Sequence, residues 1–175
     1  MVGCWKGLIL CCLLAVAAPC RAADEIIDRV LAVVAGDLIM LSDLRAARAF
    51  GLVEAKNASD SDQTILARLI DRALILNEVD RYAPPEPSAD AVKQAEDAVR
   101  ARFPSSAAFQ SALASVGLSE SQLRSTLRQN LRIRAYLDQR FVAESPERSQ
   151  AIIDGWIAGL RSRAEILDLS GSARE

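Results

Sequence analysis

Carboxylates are the side chains best supplied for chemistry in this chain, because it has no histidine and its four cysteines (Cys4, Cys11, Cys12, Cys20) all lie near the start. Without those types there is no Ser-His or Cys-His arrangement and few good ligands for a transition metal. Two acid pairs, Asp71 with Glu78 and Glu96 with Asp97, would suit general acid and base work only in a cleft that drives their pKa values apart. Each sits among lysines and arginines in a helical stretch, so both read as solvated surface charge. Asp60-Ser61-Asp62 opens like a calcium loop but lacks the glycine and distal glutamate such a loop needs, and reads instead as a helix N-terminus. Asn57-Ala58-Ser59 matches a glycosylation sequon and nothing more. The residues therefore assign no catalytic group, no metal and no cofactor.

The elements that would position any site begin after an N-terminal leader. Met1–Lys6 carries one lysine, Gly7–Ala18 is apolar and small, and Pro19-Cys20-Arg21-Ala22 ends on a small residue. That is the pattern of a cleaved secretory signal peptide over residues 1–22, with too short an apolar run to span a membrane. Cleavage would remove every cysteine and take the 21 basic residues to 19 against 23 acidic ones, a net charge near −4. Such a balance gives no footprint for nucleic acid or an anionic membrane. The expectation is one exported domain over residues 23–175, with no direct membrane anchor and no disulfide.

The mature part opens with apolar Ile26–Val34, a turn at Gly36-Asp37, and apolar Leu38–Leu41, which together read as a β-hairpin. Two strands are marginal alone and need a third strand or helices against them. Ser42 is the expected N-cap of a helix over Asp43–Phe50 that Gly51 closes. After a polar linker, Ile65, Leu66, Leu69, Ile70, Ala73 and Leu74 recur at helical spacing from Asp62 to about Tyr82, and the Pro84-Pro85-Glu86-Pro87 run ends the helix.

Ser88 starts the next helix, carrying Val92, Ala95, Val99 and Phe103. Ser105 or Ser106 starts a short one with Phe109, Leu113 and Val116 on one side. Ser119 and Gln122 form a capping box at the head of the longest helix, which runs to about Phe141. Its apolar arc holds Leu123, Leu127, Leu131, Ile133 and Leu137, while Arg124, Arg128 and Arg132 form a basic stripe expected to be solvated, with Glu120 as an i,i+4 partner of Arg124. Asn130 and Arg134 fall near the middle of the arc. They either hydrogen-bond inside the domain or mark an open groove of apolar walls and a few polar groups, as an extended peptide would need. Ser145 or Ser149 caps a final helix bearing Ile152, Ile153, Trp156, Ile157 and Leu160, with Trp156 expected in the core. Ala164–Leu169 then reads as a strand laid beside the hairpin. The fold class is mainly α with a small antiparallel sheet: an N-terminal hairpin plus a C-terminal strand, covered by about six helices.

Four ordered segments carry a resemblance: VLAVVAGDLIMLSDL, ILARLIDRALILNEVDRYA, FPSSAAFQSALASVGLSESQLRSTLRQNLRIRAYLDQRF and WIAGLRSRAEILDL. Together they resemble the chaperone core of the periplasmic SurA family, many members of which also carry parvulin-type prolyl isomerase domains. In that family the parvulin domains sit between the long helix and the closing helix. Here Val142–Ser149 leaves eight residues for them, and no histidine is available for such an active site. The resemblance therefore implies a holding function and no enzymatic one: an ATP-independent periplasmic protein that binds unfolded or extended segments of envelope and outer-membrane proteins. The candidate peptide contacts are Phe50, Leu52, Phe109, Leu113, Leu127, Leu131, Arg134 and Tyr136, the last because it lies outside the apolar arc. A dedicated adaptor for one envelope partner is the alternative, and a residual prolyl isomerase a lesser one. Oligomeric state and client identity are not encoded in any pattern visible here.

Overall fold

The computed structural model describes residues 28–54, 60–143 and 145–171. The expected leader, the first residues of the Ile26–Val34 strand, the sequon and the end of the C-terminal tail lie outside them. Strands β1 (Val30–Val34) and β2 (Asp37–Met40) form the hairpin, and β3 (Ile166–Asp168) pairs antiparallel with the other side of β1, giving the order β2-β1-β3. The two ends of the described chain thus meet in one sheet, as the sequence pattern predicts. Six helices cover it: α1 (Leu41–Phe50), α2 (Asp62–Tyr82), α3 (Ala89–Arg100), α4 (Ser106–Ser115), α5 (Glu120–Arg140) and α6 (Pro146–Arg163).

The hairpin turn is Ala35-Gly36 and not Gly36-Asp37. Ala35 and Gly36 take φ of 50° and 93°, while Asp37 already pairs with Val34. A two-residue loop whose twist matches that of the strands needs positive φ at both of its positions, which places the glycine second. The register slips between Val30 and Ala32, leaving Leu31 as a bulge. Both Leu31 and Ala32 are consequently buried.

Ser42 is not the cap of α1, because β2 runs into that helix with no spare residue and the helix begins at Leu41. Acids reach back instead. The Asp43 carboxylate accepts the Met40 N–H at 2.8 Å, and Asp28 accepts both the N–H and the hydroxyl of Ser42. Gly51 ends α1 at φ 55°, where a β-carbon would lie 2.5 Å from the Arg102 guanidinium that bonds the Phe50 carbonyl. Ser61, Ser88, Ser105, Ser119 and Ser145 each accept a backbone N–H at the start of their helices, which decides the two open assignments in favour of Ser105 and Ser145.

The core lies between the inner sheet face, α1, α2, α4 and α5. Phe50, Phe103 and Phe109 meet with ring centroids 5.5 to 6.0 Å apart, and Leu66, Val79 and Leu123 are fully buried in the same core. Helix α6 is less committed. Leu160 is its buried residue, Arg161 ties it to α2 through Asp71 and the Ala67 carbonyl, and Ile152 stands 46 % exposed. Trp156 is half-buried, its ring 5.1 Å from Phe141 and 6.1 Å from Tyr136.

Candidate peptide-binding surface

Cross-strand register divides the sheet into two faces, since residues directly opposite one another point to the same side. Ala32, Ile39, Val34 and Ile166 face the helices. Val33 lies opposite both Leu38 on β2 and Leu167 on β3, so the three make one apolar row across the outer face. Leu38 is 58 % and Leu167 54 % exposed, and Val33 between them is half-buried. A row of this kind exposes apolar surface where the strand alternation would ordinarily place polar residues.

The β2 edge is also open. Because the turn has two residues, Val34 and Asp37 form a hydrogen-bonded pair and Val33 and Leu38 the next, non-bonded one, so the Leu38 N–H and C=O point away from β1. The Met40 N–H points the same way but is occupied by Asp43. Beside this edge lies a cleft of about 460 Å³, bounded by Asp37 and Leu38 of β2, Asp43 of α1, and Leu69, Arg72 and Leu76 of α2.

Arg72 is the cation of that cleft. Its Nε donates to Asn130 Oδ1 at 2.7 Å and its Nη2 to Gln129 Oε1 at 2.8 Å, so two neutral amides from α5 hold it. Burial lowers its pKa, and Asp43 acts in the opposite direction. Asn130 in turn donates to the Leu52 carbonyl at 2.8 Å, which settles that residue as an internal hydrogen-bonding group.

The eight expected contacts are dispersed. Phe50, Phe109, Leu113, Leu127 and Tyr136 are core residues and offer a guest no surface in this conformation; Tyr136, expected outside the apolar arc, is 6 % exposed between Tyr82 and Trp156. Leu131 is half-buried, Arg134 is exposed, and Leu52 is buried but lines the cleft. Helical periodicity marks the buried face and a peptide groove with the same residues, so it could not separate them. Leu38, Leu167 and Val33 escaped the sequence reading because each of the three strands carries apolar residues on both of its faces. The signal was the parity of Leu38 against Ile39 and of Leu167 against Ile166.

Two charge assignments also change. Glu96 is 6 % exposed rather than solvated, and Arg124 pairs with it and not with Glu120, which instead receives Arg100 and Gln110. Arg132 is held by Asp80 at 2.7 Å and Glu86 at 3.2 Å, with 14 % of its side chain exposed, so the basic stripe is largely engaged.

Among the described residues no group of three or more His, Cys, Asp or Glu is placed to hold a metal ion, and no helix is long and apolar enough to cross a membrane. No protein-family model matches the chain, and no curated protein is significantly similar to it.

Proposed function

We propose that this protein is an ATP-independent periplasmic chaperone that holds unfolded or extended segments of envelope proteins, those of the outer membrane included, by binding and without catalysis. The observation that carries this reading is the uncovered row Leu38, Val33 and Leu167 beside an open strand edge and a cleft. Covering either leucine, each a little over half exposed, removes apolar surface worth about 1–1.5 kcal/mol, so a guest chain laid across this row gains binding energy without any chemical step. The four segments that resemble the SurA core point the same way, and the meeting of β1 with β3 agrees with the closure that resemblance implies.

The test is suppression of aggregation of three unrelated unfolded envelope proteins in ATP-free buffer, together with the N-terminal sequence of the exported protein. Protection of all three by a protein that begins at Ala23 supports the reading. Protection of none, or a mature protein retaining its leader, contradicts it.

A dedicated adaptor is favoured by a different feature. Tyr82 is 57 % and Val142 79 % exposed at the end of the bundle where the Tyr82, Tyr136, Trp156 and Phe141 rings meet, with Arg140 over three of them. A rigid aromatic surface of this kind fits one partner better than many. Protection of a single client out of the three would select it.

A further inference from the structure

Three features of β2 coincide. Its edge carries an unpaired Leu38 N–H and C=O, its Leu38 side chain extends the exposed apolar row, and its opposite face borders the cleft. An open edge is a template for another strand. A strand added there would place the residue opposite Leu38 on the outer face, against the Leu38 and Val33 side chains. Its two neighbours would point to the other side, one opposite Asp37 at the rim and one opposite Ile39 at the cleft.

The charges around that second side are mainly negative. Asp37 is exposed at one end of the edge with no ion-pair partner among the described residues, and Asp43 lies at the other, its carboxylate holding the Met40 N–H. Asp80 on the far wall is already taken by Arg132. Arg72, the cation of the cleft, is hydrogen-bonded to the amides of Gln129 and Asn130 and acts electrostatically on Asp43, so its charge is directed at Asp43 and not at Asp37. An opposite-charge pair directly across two strands is favourable and a like-charge pair is not.

We propose, resting on the holding function above, that β2 takes its guest by edge addition, and that the preferred guest is an extended polypeptide segment alternating apolar with cationic side chains. The apolar residues cover the Leu38 and Val33 row, and a lysine or arginine pairs with Asp37. This specifies how a client is bound and which segments are chosen.

The test is fluorescence anisotropy of dye-labelled octapeptides with the mature protein, Val alternating with Lys, Glu or Gln, plus a Val/Lys peptide N-methylated on alternate peptide nitrogens. The expected result is at least tenfold tighter binding of Val/Lys than of Val/Glu, at least tenfold loss on N-methylation in one of the two alternate frames, and reversal of the charge order in Asp37→Lys. Equal binding of the Lys and Glu peptides, or indifference to N-methylation in both frames, overturns it. So does a stable dimer of the protein that excludes every peptide, which would assign the edge to a second copy. Aggregation suppression is scored in parallel: if it persists while no peptide binds at the edge, edge addition falls and holding stands. If Val/Lys binds as described but no client is protected, the edge site stands and holding falls.

Discussion

Glu96 on α3 and Arg124 on α5 clasp the two helices together: Arg124 Nε lies 2.9 Å from Oε2 and Nη2 3.2 Å from Oε1, while Arg100 reaches the same carboxylate at 3.3 Å. The side chain of Glu96 is 8 % exposed, so this acid serves structure and not chemistry. Hydrogen bonds from Arg124 hold its carboxyl below the ordinary value of 4.5, against the opposing effect of burial. A depressed carboxylate contributes stability that is present above its unfolded pKa and is lost as pH falls through the folded one. Glu96→Gln should therefore lower stability at pH 7 by about 1–2 kcal/mol, a figure reduced because both arginine partners remain partly in water. Urea titrations at pH 7 and pH 3.5 measure it, and the difference between wild type and variant should shrink at the lower pH. An undiminished difference would mean that the clasp acts through shape and not charge.

Phe109 distinguishes core from groove. It is fully buried against Phe50 and Phe103, so Phe109→Ala should cost about 3–5 kcal/mol. A groove contact would instead lose client binding with little change in the denaturation midpoint, and that outcome would restore Phe109 to the binding surface.

The Tyr136 hydroxyl is buried without a hydrogen-bond partner among the described residues. Removing an unsatisfied polar group leaves packing intact and relieves its desolvation. Tyr136→Phe is expected to raise the thermal midpoint or leave it unchanged by calorimetry; a drop equivalent to about 1 kcal/mol or more would show that the hydroxyl has a partner in solution.

Asn130 bridges α5 to α2 and to the segment after α1, accepting from Arg72 and donating to the Leu52 carbonyl. Asn130→Ala leaves Arg72 Nε and the Leu52 carbonyl without their partner, and a loss of about 1–3 kcal/mol follows. Chemical denaturation checks it. Asn130→Asp should be tolerated better on the Arg72 side than on the Leu52 side, because a carboxylate can accept but not donate.

Much of the fold was legible because its punctuation is explicit. Five helices start at serines that cap them, and the Pro84-Pro85-Glu86-Pro87 run and Gly51 end helices where backbone chemistry requires it. The closing strand could be placed because Ala164–Leu169 is short, apolar and cannot continue the helical stripe. Legibility failed where tertiary contact decides. Nothing local says that Glu96 lies beneath Arg124, 28 residues away, or that Ser42 is drawn to Asp28 rather than capping its own helix. The candidate surface was the least legible part, since the exposure of Leu38 and burial of Ile39 depend on a turn placed one residue earlier than the glycine suggested.

The most direct measurement is photo-crosslinking of an unfolded outer-membrane protein, carrying a photoreactive side chain in an extended segment, to this protein, with the attachment sites read by mass spectrometry. Adducts concentrated on Val33, Leu38 and Leu167 and on the α2 residues of the adjoining cleft are the expected result. Adducts confined to α6 and the Tyr82 end of the bundle, or none above the level of a folded control protein, would contradict the claim that this small sheet is where a guest chain is held.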